Sequence, residues 1–296
     1  MRCNSVLIRL DEFRTGELEV DEQKTIKEHL GSCSSCDESL EEIETLSEAT
    51  RQYCQDTSAP LGLASRCEIA KADRIETELG PIWVAFGSGG IRMVAVGSRS
   101  FETFSDSHLE RFGRPLERGA IPESLRQSVD ESISRGTVDF AVDHSELPSF
   151  DQAVLQALLR IPRGEVRSYA WVAKEVGKPR AVRAVGNACA RNPTPIVVPC
   201  HRVVPSSGGV GNYALGSELK RTILEHEGVD LSELDDLARR RLRYVGSKRD
   251  LEYCFPTCAG ARTIEPQDRI YFRDDEDALG RGFRPCNSCT PLAYTA

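Results

Sequence analysis

The spacing of the cysteines constrains this chain more than any other feature of its 296 residues. Two short pairs, Cys254 with Cys258 and Cys286 with Cys289, are separated by 27 residues near the C-terminus. Such pairs supply the four soft ligands of a tetrahedral zinc site, and in a segment with few apolar residues the metal would also support folding. The alternative is disulfide pairing, which requires an oxidising compartment. The spacing therefore predicts a four-cysteine zinc site.

A second metal-binding pattern lies at the N-terminus. His29, Cys33 and Cys36 have the spacing His-x3-Cys-x2-Cys, and Cys3 lies upstream as a fourth ligand. The total of eleven cysteines is odd, so complete disulfide pairing within the chain is excluded. We therefore expect two structural zinc sites, and the motifs indicate no organic cofactor.

Composition narrows the class of protein. With 40% hydrophobic residues, the chain is expected to be globular rather than disordered or fibrous. No apolar run approaches the roughly 18 residues that cross a bilayer, and the N-terminus lacks the apolar run of a secretion signal. We expect a cytoplasmic protein with no membrane partner.

The charge is distributed unevenly along the chain. The net charge is −8, but residues 150–229 carry 11 basic and 6 acidic side chains, whereas residues 1–60 carry 6 and 14. Segments 61–149 and 230–296 are also net acidic. Because a local patch rather than the global charge sets binding to a polyanion, residues 150–229 are the candidate nucleic-acid-binding region.

Periodicity and turn signals divide the chain. An acidic amphipathic helix is expected over 37–54, a hairpin over 82–97, and two short helices over 169–176 and 181–190. The two short helices are joined by a Gly-Lys-Pro turn and are typical of a helix-turn-helix, although an ordinary helical pair gives the same pattern.

The expected fold class is α+β and multidomain. It combines a small α/β domain with a helical, helix-turn-helix-bearing active-site domain, flanked by two small zinc modules. The expected boundaries are 1–58 for the N-terminal zinc finger with its amphipathic helix, 59–149 for the α/β subdomain, 150–231 for the active-site domain, 232–247 for a helical linker and 248–296 for the C-terminal zinc module.

One group of residues in the basic segment has the composition of a nucleophilic active site. Cys200 follows a proline at the end of a β-rich run and precedes His201. A thiol is a poor nucleophile until it ionises, and a neighbouring imidazole can take its proton directly or through water. A carboxylate such as Glu227 would polarise that imidazole. The residues therefore predict a Cys-His-Glu relay.

Six stretches around this group follow a known pattern in letters and in spacing: 161–169, 183–188, 192–196, 199–204, 206–213 and 225–228. They make residues 150–228 similar to the active-site domain of the O6-alkylguanine-DNA alkyltransferases, the methylated-DNA–protein-cysteine methyltransferases. The resemblance implies a DNA-repair reaction in which each molecule acts once, because the thioether formed on Cys200 has no base-assisted route back.

The resemblance also implies a role for each matching residue. Cys200 would accept the alkyl group, His201 would act as the base through water, and Glu227 would orient the imidazole. Tyr169 would protonate or stabilise the departing guanine. Asn192 would hold the turn between the recognition helix and the active site.

Four further residues are assigned to DNA contact by the same resemblance. Arg183 would fill the gap left when the damaged nucleotide is flipped out of the duplex. Arg202, Asn212 and Tyr213 would contact DNA, with purely structural service as the alternative for these three. Family members commonly carry a hydroxyl residue after the Asn-Tyr pair, where this chain has Ala214. We expect this difference to alter affinity rather than abolish activity.

The two zinc patterns have resemblances of their own. Residues 253–258, 270–272 and 278–289 resemble the metal-binding domain of Ada-type adaptive-response proteins, in which the cysteine matching Cys254 accepts methyl groups from DNA phosphotriesters. We expect a structural zinc module, with Cys254 as a candidate second methyl acceptor. The N-terminal pattern resembles the zinc finger of anti-sigma factors, which implies a sigma factor as a candidate protein partner of residues 1–55.

These observations leave two functions open. In the first, the chain repairs duplex DNA by transferring the alkyl group of O6-alkylguanine irreversibly to Cys200. In the second, it is a zinc-dependent regulator of transcription or of a sigma factor, in which the alkyltransferase domain senses damage. Alkyl transfer that survives removal of residues 1–55 would favour the first.

Overall fold

The computed structural model describes residues 3–15, 18–55, 69–97, 99–136 and 138–291. The chain divides into two compact units, Met1–Glu68 and Ile69–Ala296. The second unit combines helices with short sheets, which confirms the expected α+β class. No helix in the described ranges is long and apolar enough to cross a bilayer.

The first unit is helical in its described part. The amphipathic helix expected over 37–54 is confirmed, because the fourth helix contains it and packs Leu40 and Ile43 on a small core that includes Val6, Leu10 and Ile26. The expected boundary at residue 58 lies outside the described residues. The helices are α1 (Cys3–Leu7), α2 (Leu10–Thr15), α3 (Val20–Leu30) and α4 (Ser34–Gln55).

The second unit begins with a four-stranded sheet of order β3-β2-β1-β4. Its strands are β1 (Ala70–Thr77), β2 (Gly80–Gly87), β3 (Gly90–Val96) and β4 (Leu116–Arg118). The expected hairpin is confirmed as the antiparallel pair β2 and β3. Gly90 has a φ of 110°, and a Cβ there would lie 2.1 Å from the carbonyl oxygen of Ala141, so this turn requires glycine.

Two helices cover this sheet and a helical region follows them. Ile133 of the second covering helix packs against Ile75 and Ile82 of the sheet. The short helices expected over 169–176 and 181–190 are confirmed to within one residue. The elements are α5 (Phe101–Phe112), α6 (Glu123–Arg135), α7 (Ser149–Leu158), β5 (Arg167–Ser168), α8 (Tyr169–Glu175), α9 (Val182–Ala190), a 3-10 turn (Cys200–Arg202), β6 (Val203–Val204) and α10 (Ser217–His226).

The C-terminal region holds a second four-stranded sheet of order β10-β8-β7-β9. Its strands are short. Of its three helices, the first has nine residues and the other two have four and six. The elements are α11 (Leu231–Arg239), β7 (Tyr244–Ser247), β8 (Glu252–Cys254), α12 (Ala259–Arg262), a 3-10 turn (Pro266–Asp268), β9 (Arg269–Phe272), α13 (Asp275–Gly280) and β10 (Arg284–Pro285).

The segment 232–247, expected as a linker, is part of the folded unit. Leu234 and Leu237 of α11 are buried, and all four residues of β7 are buried between β8 and β9. The sheet therefore begins before residue 248. One hydrophobic core contains residues of α7 to α9 together with residues of β7 to β9, so the helical region and the C-terminal sheet pack as one body.

Candidate active site and metal clusters

The Cys200 thiol is held in a buried, polar environment at the start of the 3-10 turn. Its residue is 4% exposed. The side-chain amide of Asn192 donates to Cys200 Sγ at 3.1 Å and to the carbonyl oxygen of Val198 at 2.9 Å. The Tyr213 hydroxyl lies 3.8 Å from Sγ. The structure therefore brings Cys200, Asn192 and Tyr213 together, and it places Tyr213 against the thiol.

His201 and Glu227 form the second half of the expected relay. His201 Nε2 lies 2.9 Å from Glu227 Oε1, and both residues are buried. Among the described residues, none hydrogen-bonds the other ring nitrogen, Nδ1. Burial lowers the pKa of His201, and the adjacent carboxylate acts against that fall. The imidazole is therefore neutral and able to accept a proton at neutral pH.

Arg202 was expected to contact DNA, with a purely structural role as the alternative, and its surroundings favour the structural role. Its guanidinium donates to both oxygens of Glu227 at 2.8 to 3.1 Å and to the carbonyl oxygen of Ile161 at 2.7 Å, and the residue is 3% exposed. Burial alone would raise the pKa of Glu227, but the hydrogen bonds from His201 and Arg202 outweigh it and hold that pKa at about 2. Arg202 thus keeps the relay carboxylate ionised.

Lys220 is a functional candidate that the sequence analysis missed. It is fully buried on α10, and its Nζ donates to the carbonyl oxygens of Val203 at 2.6 Å and Asn212 at 3.4 Å. Burial lowers its pKa to about 8. Its helical position, three and four residues before the buried Ile223 and Leu224, was the sequence signal that could have identified it.

The charge of Lys220 bears directly on the thiol. Burial raises the pKa of Cys200, while the hydrogen bonds from Asn192 and Tyr213 and the positive charge of Lys220 act against that rise. The site therefore stores the nucleophile as a thiol and stabilises the thiolate when a base removes the proton.

The remaining expected site residues are Tyr169, Arg183 and Asn212. Tyr169 is the first residue of α8, and burial raises its pKa to about 12, so its hydroxyl stays protonated at neutral pH. Arg183 near the start of α9 and Asn212 in the loop before α10 are exposed. Ala214 is exposed as well.

Both expected metal-binding patterns converge in space. The ligand atoms of Cys254, Cys258, Cys286 and Cys289 all lie within 4.8 Å of one another, and so do those of Cys3, His29, Cys33 and Cys36. The four C-terminal cysteines are buried. Among the described residues, none hydrogen-bonds the buried His29 Nε2. Four sulfur atoms, or three with an imidazole, at these separations fit a tetrahedral zinc ion.

Comparison with known proteins gives matches over most of the second unit. Residues 149–229 match the family model described as 6-O-methylguanine DNA methyltransferase, DNA binding domain, and residues 236–291 match the metal binding domain of Ada. The methylated-DNA–protein-cysteine methyltransferase of Mycobacterium leprae is 37% identical over 154 residues, which cover 52% of this chain and 89% of that protein. The human protein of the same name is 53% identical over 81 residues, which cover 27% of this chain and 39% of that protein.

A solved structure is also similar. The crystal structure of Mycobacterium tuberculosis OGT in complex with DNA has 30% sequence identity and a TM-score of 0.43, with 57% of this chain and 98% of that chain covered.

Proposed function

Because this chain belongs to the family of methylated-DNA–protein-cysteine methyltransferases, we propose that it repairs DNA by transferring the alkyl group of O6-alkylguanine to Sγ of its own Cys200. The observation that carries this assignment to Cys200 is the buried thiol held by Asn192 beside the His201–Glu227 pair. Nucleophile, base and orienting carboxylate are the parts that such a displacement requires.

The reaction is a displacement at the alkyl carbon. The Cys200 proton passes through water to Nδ1 of His201, and the resulting thiolate attacks the carbon bound to O6 of guanine. The sulfur–carbon bond forms as the carbon–oxygen bond breaks, and the bonding electrons leave with guanine. The Tyr169 hydroxyl, which its raised pKa keeps protonated, donates a hydrogen bond that stabilises the departing base.

The electrostatic arrangement favours this order of events. Glu227 is ionised throughout the physiological range and stabilises the imidazolium that forms on His201. Lys220 and the Asn192 amide stabilise the thiolate. The product is a neutral thioether. The base of this site cannot break its sulfur–carbon bond to regenerate the thiol, so each molecule reacts once.

The basic segment around α8 and α9 supplies the DNA contact. A base inside a duplex does not expose its O6 substituent to a buried thiol, so the damaged nucleotide must be flipped out. Arg183 lies exposed near the start of α9, where its side chain can replace the flipped base in the stack. Asn212 is exposed on the loop that carries Tyr213, and we assign it to DNA contact.

The two cysteine clusters would each hold one zinc ion in a structural role. The ion would neutralise the thiolates and fix them in tetrahedral geometry. For the C-terminal cluster this set is Cys254, Cys258, Cys286 and Cys289; for the N-terminal cluster it is Cys3, His29, Cys33 and Cys36. A sigma factor as partner of residues 1–55 stays a prediction.

Methyl acceptance by Cys254 also stays a prediction, and its surroundings do not favour it. Cys254 is 4% exposed and lines a cavity of about 190 Å³. Carboxylates of Asp250, Glu265 and Asp268 line the same cavity. Negative charge at this opening opposes the approach of a DNA backbone.

Methyl transfer from labelled DNA tests the proposed reaction. Duplex DNA with O6-[³H]methylguanine, in excess over the protein, is incubated with the wild-type chain, with Cys200→Ala and with Cys189→Ala, which removes another buried thiol of the same region. We expect one methyl group per chain for the wild type and for Cys189→Ala, and none for Cys200→Ala. Transfer to the Cys200→Ala chain, or repeated turnover by the wild type, would contradict the proposal.

A further inference from the structure

The segment Gly164 to Trp171, called here the bridge segment, contacts the Glu227 carboxylate of the relay. The Gly164 amide donates to Glu227 Oε2 at 3.3 Å. Strand β5 within it pairs with β6, which directly follows the Cys200–Arg202 turn. The segment also carries Tyr169. It therefore sets the position of three groups of the proposed reaction: Glu227, the Cys200 turn and Tyr169.

The same segment is hydrogen-bonded to the region that surrounds the four-cysteine cluster, residues 244–291, called here the zinc module. Thr257 Oγ1 accepts from the Val166 amide at 2.9 Å. Glu165 Oε1 accepts from the Ala259 amide at 3.0 Å. Thr257 and Ala259 are the two neighbours of the ligand Cys258, so both of these bonds depend on where that ligand lies.

Two more ligands, Cys289 and Cys254, are linked to the bridge segment, the first directly and the second through the residue that follows it. The indole nitrogen of Trp171 donates to the carbonyl oxygen of Cys289 at 3.1 Å. The buried Arg167 guanidinium lies over the rings of Phe255, which follows Cys254, and Trp171, with distances of 5.2 and 5.7 Å to the ring centres. Three of the four ligands are thus coupled to this segment through themselves or an adjacent residue.

Arg262, at the end of α12, links the zinc module to the residue that contacts Glu227. Its guanidinium donates to the carbonyl oxygen of Gly164, while the Gly164 amide donates to Glu227. Gly164 has a φ of 76°, and a Cβ there would lie 2.8 Å from the Glu227 carbonyl oxygen and 3.0 Å from the Arg262 guanidinium. The module and the relay are therefore connected through a single residue, Gly164.

We propose that the zinc module is a positioning device for the alkyltransferase site: metal bound at its four cysteines fixes the bridge segment, and Arg262 is a positioning residue for Glu227. This rests on the proposed function and extends it. A cluster of four buried thiolates requires the charge of a metal to stay compact. Without the metal, the partners of Gly164, Val166 and Trp171 are no longer fixed.

The first test compares variants at the contact between the module and the bridge segment. Arg262→Ala removes the donor to Gly164, and Thr257→Val removes the acceptor for Val166 with little change of shape. Since displacement of a catalytic group by a remote change costs on the order of tenfold or more, we expect the rate of methyl transfer at saturating DNA to fall about tenfold in both. Arg262→Lys keeps a donor and should recover part of the rate.

The matched control is Arg281→Ala, which removes an exposed arginine paired with Asp277 in the same module. It should transfer at the wild-type rate. Zinc content and DNA affinity should equal those of the wild type in all variants, which separates positioning from loss of metal or of binding. Arg262→Ala and Thr257→Val chains that carry zinc and transfer at the wild-type rate would overturn the proposal.

A second test does not depend on activity. Hydrogen exchange is measured on the full chain with zinc and after chelation. The amides of residues 164–168 should lose protection on zinc removal, whereas those of α6, which lies against the first sheet, should not change. Unchanged protection at 164–168 would overturn the proposal. A wild-type chain that transfers no methyl group, by contrast, would overturn the proposed function itself.

Discussion

At the scale of single residues, the site depends on charges that are buried and paired. Arg202 and His201 share Glu227, and Lys220 lies among carbonyl oxygens near the Cys200 thiol. A buried charge is tolerated when its partner is present and is strongly destabilising when the partner is removed. Replacing one of these residues should therefore lower the free energy of unfolding substantially.

Glu227→Gln should destabilise the chain, because it leaves the Arg202 guanidinium buried without an anion. Breaking such a pair costs about 3 to 5 kcal/mol in the free energy of unfolding, measured by urea denaturation. The control Glu110→Gln changes an exposed glutamate on α5 and should have little effect. Equal unfolding free energies for Glu227→Gln and the wild type would contradict the buried pair.

The pH dependence of that difference has a definite sign. The pKa of Glu227 is about 2 in the folded chain against an ordinary value of 4.5. A carboxyl group whose pKa is lower in the folded chain stabilises the fold when the pH is above its pKa in the unfolded chain. This contribution is lost as the pH falls towards the pKa in the folded chain. The stability gap between wild type and Glu227→Gln should therefore be constant at neutral pH and shrink below about pH 4.5. A gap that widens on acidification would contradict this account.

Lys220→Met should make the Cys200 thiol harder to ionise, because it removes a positive charge that lowers its pKa. The rate at which iodoacetamide modifies Cys200, followed by peptide mass spectrometry, should reach its midpoint at a higher pH than in the wild type. Lys71→Met, which changes an exposed lysine on β1, is the control. An unchanged midpoint in Lys220→Met would show that this charge does not act on the thiol.

The sequence identified the chemistry of the relay but not the burial of its charges. Cys200, His201 and Glu227 could be found because their types and spacing follow a family pattern. The role of Arg202 was left open and Lys220 was missed, since the partner of each basic group lies in another part of the fold. A cationic side chain on its own indicates exposure, and only the distant carboxylate or carbonyl oxygen explains why it is buried.

At the scale of elements, local patterns were sufficient where the periodicity was regular. Helices α8 and α9 were predicted to within one residue, because their apolar positions and the Gly-Lys-Pro turn are local signals. Strand β7 was missed within the expected linker. Its four residues are all buried, so they show no alternation of polar and apolar residues.

The pair α8 and α9 gives a prediction about DNA. Arg183→Ala should lower the rate of methyl transfer from duplex DNA by about tenfold, because the gap left by the flipped base is no longer filled. Transfer from the free O6-methylguanine base should not change, since no duplex is opened. Arg135→Ala, an exposed arginine on α6, is the control. Equal loss on duplex DNA and free base would contradict a role in flipping.

At the scale of the whole molecule, the ligands of both cysteine clusters were predictable and the way the modules pack was not. Ligand spacing is a covalent property of the chain, so Cys254, Cys258, Cys286 and Cys289 could be grouped from the sequence. The shared core of α7 to α9 and β7 to β9 results from contacts between distant segments, which no local pattern records.

Removal of residues 1–55 should leave methyl transfer intact, because the alkyltransferase residues all lie in the second compact unit. Transfer rates of the shortened and full chains should agree at physiological salt. At low salt the shortened chain should be faster, since the removed segment is strongly acidic and repels DNA. Loss of transfer at physiological salt would contradict the independence of the second unit and return weight to a regulatory role.

The central claim is that one thiol, Cys200, takes the alkyl group. Its most direct test is peptide mass spectrometry of the full chain after reaction with duplex DNA containing O6-methylguanine. We expect one added methyl group per chain on the peptide that contains Cys200, and none on the peptide that contains Cys254. An unmodified Cys200 beside repaired DNA, or a methyl group found on another residue instead, would contradict it.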